Sequence, residues 1–178
     1  MSRGDRFDRA GFESRDARSQ TTPAFAFERT WPIAAGALVR VGQSILSDRD
    51  STGRPHKGID LFAAAGTPVR AAIAGRVLRG VDGRSRDRAA RRHAGLFVDV
   101  LGSDSRVYRY LHLGSVQVEA GQSLALKQEI GTIAPAHTSG LGAEPHLHVE
   151  IAEGDYERTH TDYGRRLDPL RILPHRAA

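Results

Sequence analysis

The sequence predicts a mainly β protein, a single compact antiparallel-sheet domain with little helix. Nineteen glycines and eight prolines among 178 residues favour many tight turns over long helices. The segments between these turn formers are short and rich in Val, Ile, Leu and Tyr, which is typical of strands. No window of about fifteen residues shows the 3.6-residue apolar period of an amphipathic helix. The length suits one domain with a sizeable core.

Four segments are predicted strands, because each is apolar and is bounded by glycine or proline. They cover residues 69–78, 96–101, 107–113 and 146–151. The one hint of helix is a turn at residues 86–93, which has Ala89 and Ala90 in its middle. We therefore expect short strands joined mostly by turns.

The two ends of the chain differ in composition. Residues 1–30 mix Arg, Asp and Glu and offer little apolar surface before Phe25 and Phe27, which predicts a flexible charged tail. Residues 31–178 form the predicted globular domain. The first residues lack the apolar stretch of a secretory signal peptide, and no apolar run approaches the roughly 18 residues that span a bilayer. The sequence thus predicts neither a visible signal peptide nor a membrane span.

The formal net charge of +5 favours an acidic partner, such as nucleic acid, anionic lipid or an anionic wall polymer. Aromatic residues are scarce and no recognition-helix or RNA-binding pattern is present, so no nucleic-acid partner is expected. Residues 82–93 carry five arginines. We interpret this segment first as a solvated loop, and second as a rim that attracts an anionic polymer.

Histidines provide the first indication of chemistry. The chain has no cysteine, so a metal site would use His, Asp or Glu. In the segment PHKGIDL, a bend at Gly58 can bring His56 and Asp60 to one point, just before a strand that begins near Ile59. By itself this pair is also compatible with two independent surface residues.

A second indication comes from PHLHVEI. Residues two apart in a strand share a face, so His146 and His148 point together, while Leu147 and Val149 point into the core. In YRYLHL, His112 ends a strand whose Tyr108 and Tyr110 share its face by alternation. A metal site and ordinary hydrogen-bonded strand histidines are both open at this point.

Taken in order, these segments resemble the lysostaphin/LytM family of zinc metallopeptidases, which hydrolyse peptidoglycan peptides. The matching pieces are HKGID, GTPVRAAIAGRVL, YLHL, VEAGQSL, Ile-Gly and HLHVEI, between residues 54 and 151, with a looser match to residue 169. The resemblance implies an antiparallel sheet with a substrate groove. The segment before His56 and the loop TIAPAHTSGLGAEP depart from the family pattern, which leaves the details of substrate recognition open.

The resemblance also implies a role for each site residue. It implies one Zn²⁺ per chain, held by His56, Asp60 and His148. His112 and His146 would be the catalytic pair that orients or deprotonates water and stabilises the tetrahedral intermediate. The residues alone do not separate His146 from His148, and this assignment comes from the family.

The implied function is a zinc-dependent endopeptidase that cuts peptide cross-links of peptidoglycan, with D,D cross-links favoured over polyglycine bridges. The alternative is a non-catalytic wall-binding activator, or a structural part of a secreted or phage-like assembly. Since no signal peptide is visible, the protein is expected to reach the periplasmic or extracellular wall by non-classical export, injection or lysis. This leaves a secretion, phage or immunity partner open.

Some neighbouring residues have two interpretations. Glu150 shares the face of His148 by alternation, and we interpret it first as a solvated strand carboxylate and second as a partner of that ligand. We interpret Tyr110 first as a residue that does not line the groove, and second as a groove residue. We expect His137 to be an exposed loop residue, and the same holds outside the motifs for His93, His160 and His175.

Overall fold

Ten strands and one short helix form the described part of this computed structural model, which comprises residues 27–42, 45, 55–81, 95–153 and 165–175. The strands are β1 (Arg40–Val41), β2 (Ile59–Phe62), β3 (Pro68–Arg70), β4 (Gly75–Val81), β5 (Leu96–Gly102), β6 (Val107–Val116), β7 (Ser123–Leu124), β8 (Glu129–Ile133), β9 (His146–Glu153) and β10 (Arg165–Leu167). The helix is α1 (Pro169–Ile172), which Asp168 caps by accepting a hydrogen bond from the Leu170 amide at 3.0 Å.

All the strand pairs described are antiparallel. The main path runs β1–β2–β9–β6–β5–β4–β7, with β10 added to β9, and β8 joining β3 to β6. The two longest strands, β6 and β9, pair with each other near the middle of this path. The predicted mainly β antiparallel fold with little helix is therefore confirmed.

One face of the central strands builds the hydrophobic core. Alternate residues of β6 and β9 meet there, and Tyr108, Tyr110, Leu147 and Val149 have no exposed surface. Burying such side chains contributes about 1.5–3 kcal/mol each. The same alternation sends Asp60, His146 and His148 to the other face of the sheet. The apolar face thus fixes the plane from which the polar side chains project.

The predicted strand at residues 69–78 is wrong in one respect, because the structure divides it into β3 and β4. Between them the chain turns a buried corner. There the Ala71 amide donates to the Gln128 carbonyl at 2.8 Å, and the Ala72 amide donates to the Tyr110 hydroxyl at 2.9 Å. These bonds lead the backbone away from a strand ladder, although the residues remain apolar. The other three predicted strands match β5, β6 and β9.

Three predictions concern residues outside the described part of the chain. They are the arginine-rich segment 82–93 with its helical turn, residues 1–26 of the predicted tail, and the surface positions of His93 and His160. Further along, Thr30 bonds to the Ala72 carbonyl at 2.8 Å, and the Trp31 indole donates to the Pro174 carbonyl at 2.9 Å. Among the described residues, no helix has the length and apolarity that crossing a membrane would need.

Candidate metal centre

The three predicted metal ligands meet where β2 pairs with β9. Asp60 lies opposite His148 in the register, and His56 lies in the segment just before β2. The Nδ1 atom of His148 is 2.7 Å from Oδ1 of Asp60. Nε2 of His56 is 3.0 Å from that nitrogen and 3.2 Å from that oxygen. All three side chains are buried, so three donor atoms converge on one point below the surface.

Gly58 allows this convergence. A Cβ atom added there would lie 1.9 Å from the carbonyl oxygen of Val149 on β9, which no side chain could tolerate. The segment that carries His56 can therefore pack against β9 only if residue 58 is glycine. The predicted bend is a close backbone approach that places His56 beside Asp60.

The donor set fits a first-row metal ion. Zn²⁺ binds imidazole nitrogen and carboxylate oxygen at about 2.0–2.2 Å, which places neighbouring tetrahedral ligands roughly 3–3.5 Å apart. The separations of 2.7–3.2 Å among His56, Asp60 and His148 are close to this range. Catalytic zinc sites use three protein ligands and leave a fourth position for water. These three residues are close enough together to bind such an ion.

Hydrogen bonds set the charge state of this cluster. Burial by itself would raise the pKa of Asp60, but hydrogen bonds with His148 and His56 hold it well below its ordinary value. Burial would lower the pKa of His148, but hydrogen bonds to Asp60 and Glu150 raise it. The metal-free protein therefore holds an ionised carboxylate beside an imidazole that readily binds a proton. A metal cation would take the place of that proton.

His112 lies beside this cluster, with its ring centroid 5.9 Å from that of His148 and 5.2 Å from that of His146. Its Nδ1 is 3.0 Å from the Ser139 carbonyl oxygen. Since a carbonyl only accepts, Nδ1 carries the proton and the lone pair of the neutral ring lies on Nε2. Burial lowers the pKa of His112 to about 4, so the ring is neutral at pH 7 and able to accept a proton there.

The orientation of His112 differs from the one that strand alternation predicts. Leu111 pairs with His148, so regular alternation would send His112 to the core face with Tyr110. A left-handed backbone at His112, with φ of 65°, breaks the alternation and turns the ring toward the other histidines. Tyr110 remains in the core, where its hydroxyl accepts from Ala72. The interpretation of Tyr110 as a groove residue is therefore wrong.

His146 completes the group from the outer end of β9. Its Nδ1–H donates to the Glu144 carbonyl at 2.9 Å, which leaves the lone pair of the neutral ring on Nε2. That nitrogen is 3.6 Å from Oδ1 of Asp60. The ring packs against Phe62, with 5.0 Å between centroids. All five residues singled out in the sequence thus lie together, whereas His137 and His175 are exposed.

The preferred interpretation of Glu150 as a solvated carboxylate is wrong. Its residue exposure is 4%, and its Oε1 is 3.4 Å from Nε2 of His148. Sequence reasoning missed Arg109 and Arg166, which lie 3.3 Å and 3.1 Å from the other oxygen. An arginine in the middle of the buried pattern YRYLHL was a signal for a buried ion pair, but the partner depends on strand register.

A recess of about 370 Å³ is lined by Leu113, the residue that follows His112. Its walls include the apolar side chains of Leu96, Leu113 and Pro135, and it reaches Ser139, whose carbonyl holds His112. A small apolar group could therefore be accommodated in this recess.

Two buried histidines and a buried aspartate converge on an antiparallel sheet and are flanked by two further histidines, an arrangement that could hold the metal ion of a metallopeptidase. Residues 54–169 match the model of peptidase family M23, and the chain belongs to this family. The matched range contains all five site residues. The predicted resemblance to lysostaphin/LytM-type metallopeptidases is thereby confirmed.

Curated relatives support the same family. The chain is 31% identical over 121 residues to an uncharacterised metalloprotease of Haemophilus influenzae, covering 67% of this chain and 21% of the relative. It is 32% identical over 99 residues to the peptidoglycan DD-endopeptidase ShyA of Vibrio cholerae, covering 54% of this chain and 20% of the relative. The chain thus aligns with about a fifth of the length of these relatives.

Solved structures share the fold. The catalytic domain of the prophage-encoded M23 protein EnpA from Enterococcus faecalis, in a mutant form, aligns with a TM-score of 0.60 and 20% identity, covering 79% of this chain and 94% of that domain. The catalytic domain of lysostaphin from Staphylococcus simulans aligns with a TM-score of 0.58 and 23% identity, covering 75% and 91%.

Proposed function

We propose that this chain is a zinc-dependent endopeptidase that hydrolyses peptide cross-links of bacterial peptidoglycan. The observation that carries the proposal is the convergence of donor atoms from His56, Asp60 and His148, beside His112 and His146. Membership of a peptidase family supports the reaction class. Zinc, when bound, polarises the scissile carbonyl and lowers the pKa of water to about 7.

In this proposal His112 is the general base. Its neutral ring presents the lone pair at Nε2, and the Ser139 carbonyl keeps the ring in that tautomer. Nε2 accepts the proton of the attacking water and then returns it to the leaving amine. The pKa of about 4 keeps the base unprotonated at neutral pH.

His146 is the proposed oxyanion partner. When protonated, its Nε2–H can donate to the oxygen that becomes negative in the tetrahedral intermediate. The Glu144 carbonyl fixes its Nδ1–H, and Nε2 lies 3.6 Å from Oδ1 of Asp60, on the side of the proposed metal ligands. The two histidines thus have different partners, which suits them to opposite sides of the reacting carbonyl.

We further propose D,D cross-links as the substrate. The relative named as a peptidoglycan DD-endopeptidase supports this choice over polyglycine bridges. The recess lined by Leu96, Leu113 and Pro135 also suits the methyl group of an alanyl residue. Such a substrate places the site of action at the cell wall.

The alternative is a non-catalytic role in binding or assembly. One observation favours it: a similar fold, with a TM-score of 0.60 and 21% identity, occurs in the SpoIIQ–SpoIIIAH pore-forming complex. The distinguishing feature is the set of metal donors and adjacent histidines. Here that set is complete and its members lie together, so catalysis is the better proposal.

The test is hydrolysis of purified cross-linked muropeptides, with product masses, by the wild type, His148→Ala and a chelated sample. His137→Ala is the matched control, because it removes an exposed histidine of a neighbouring loop. We expect cleavage by the wild type and the control alone, with masses that identify a D,D bond. A wild type that binds zinc but cuts neither diaminopimelate-type nor polyglycine peptides would favour the assembly role.

A further inference from the structure

A row of charged side chains crosses the sheet and ends at a metal ligand. Arg79 lies opposite Asp99, Asp99 opposite Arg109, and Arg109 opposite Glu150, on strands β4, β5, β6 and β9. Arg166 joins Glu150 from β10. We call these five residues the charged row. Its members alternate in sign, and Glu150 stands two residues from His148 on the same face of β9.

The pairs within the row are close. Asp99 accepts from the Nε atoms of Arg79 and Arg109, each at 2.9 Å and each on a different oxygen. Oε2 of Glu150 lies 3.3 Å from Nη1 of Arg109 and 3.1 Å from Nε of Arg166. One oxygen of Glu150 is therefore engaged by two guanidinium groups, and the other faces His148.

Burial makes this arrangement of charges energetically costly. Asp99 has no exposed surface, and Arg109 and Glu150 are 8% and 4% exposed. A buried ion pair is often no more stabilising than apolar residues of the same volume. Stability alone is therefore a weak reason for placing five charges here, and a contact that needs the charge is a stronger one.

The contact that needs a charge is the one with His148. Ionised Glu150 can only accept a hydrogen bond, so a proton on Nε2 of His148 satisfies it. Without a metal, a proton on Nδ1 satisfies Asp60 in the same way at 2.7 Å. A metal on Nδ1 would take the place of that proton and leave Nε2–H directed at Glu150. The two arginines restrict the Glu150 carboxylate, which in turn restricts the plane of the His148 ring.

We propose that Glu150 is a positioning residue of the metal centre, which holds His148 in the tautomer and orientation that present Nδ1 to the metal. Arg109 and Arg166 act through Glu150 by fixing its carboxylate. The proposal rests on the proposed metal site and requires no assumption about the peptide bond that is cut. Partners of this kind typically change metal affinity by about 10–100-fold.

The test is zinc affinity of Glu150→Gln, measured by competition with a chromophoric chelator. The variant keeps the shape of the side chain but removes its charge and one acceptor oxygen. We expect affinity to fall about 10–100-fold. Glu153→Gln is the matched control, since Glu153 lies on the same strand and pairs with Arg106 and Arg165 but contacts no predicted ligand. Its affinity should match the wild type.

A second readout needs no substrate. In the zinc-loaded wild type, ¹H–¹⁵N spectra of the His148 ring should show an Nε2–H proton that exchanges slowly with solvent, because Glu150 accepts it. Glu150→Gln should make this proton exchange faster, while Glu150→Asp, which keeps the charge, should restore part of both the protection and the zinc affinity. Arg166→Gln removes one arginine contact and should show a smaller loss in the same direction.

The outcomes separate the two proposals. Unchanged zinc affinity in Glu150→Gln, or in Arg166→Gln if the first variant does not fold, overturns the role of Glu150 and leaves the metal site intact. A wild type that binds no zinc overturns the proposed function. In that case the positioning role, which is defined toward the metal, is overturned as well.

Discussion

The metal centre and the charged row lie side by side on one face of the sheet and balance buried charge in opposite ways. In the row, each carboxylate faces guanidinium groups, so charge is compensated within the chain. In the candidate metal centre, the carboxylate of Asp60 meets the imidazoles of His56 and His148. The first group pairs opposite charges, whereas the second presents donor atoms that a metal cation could bind.

This difference shows how buried charges can be assigned to structure or to function. Donor atoms that converge on one point favour ligand binding, because lone pairs that face one another are stabilised by a proton or a metal. Alternating signs in register favour a fixed scaffold. Glu150 belongs to both groups, which explains why a scaffold element reaches the metal centre.

The largest effect is expected from breaking the row at its middle. Arg109→Met removes the guanidinium that lies between Asp99 and Glu150, and leaves two buried carboxylates with fewer partners. We expect the free energy of unfolding to fall by about 3–5 kcal/mol, measured by urea denaturation. Arg171→Met is the control, because Arg171 is exposed on α1. A loss under about 1 kcal/mol would contradict the view of the row as a compensated scaffold.

As pH falls from 7, the stability contributed by His112, beside the metal centre, should be lost before the stability contributed by the charged row. The folded state lowers the pKa of His112 from 6.5 to about 4, so between these values the unfolded chain binds more protons and stability falls as pH falls. For the metal-free protein this amounts to at most about 3 kcal/mol. His112→Asn should flatten this part of the profile, measured as unfolding free energy from pH 7 to 4. An unchanged slope would contradict the assignment.

At lower pH, the stability contributed by the charged row should fall. Although burial opposes it, the contacts with His148, Arg109 and Arg166 lower the pKa of Glu150 from 4.5 to about 2. The stability that this carboxylate contributes is present above pH 4.5 and is lost as pH falls toward 2. The two groups thus occupy separate pH windows.

The smallest of the expected effects is the stabilisation of the folded protein by added zinc. A ligand at 100 times its dissociation constant stabilises the folded state by about 2.7 kcal/mol, so zinc should raise the Tm of the wild type. His56→Ala, which removes one donor, should show no such rise. The control His137→Ala should behave as the wild type, and a rise in His56→Ala would place the zinc elsewhere.

The candidate site was predictable from sequence where chemistry follows local pattern. The segment HKGID indicated a bend, and HLHVEI indicated two histidines on one face, and both statements hold in the structure. The strand at residues 69–78 was not predictable as two strands, because apolar composition does not reveal a buried corner. Glu150 was misread because alternation gives the face of a residue but not what covers it.

The sequence by itself determined the donor types, their order along the chain and the apolar alternation that builds a mainly β domain. Only the tertiary structure decided to which face of the sheet the His112 side chain points, since its left-handed backbone overrides the alternation of strand residues. It also decided that Arg109 meets Glu150, because strand register brings together residues 41 positions apart. Local pattern fixes the face of a side chain, whereas long-range pairing fixes its partners, and those partners set its charge.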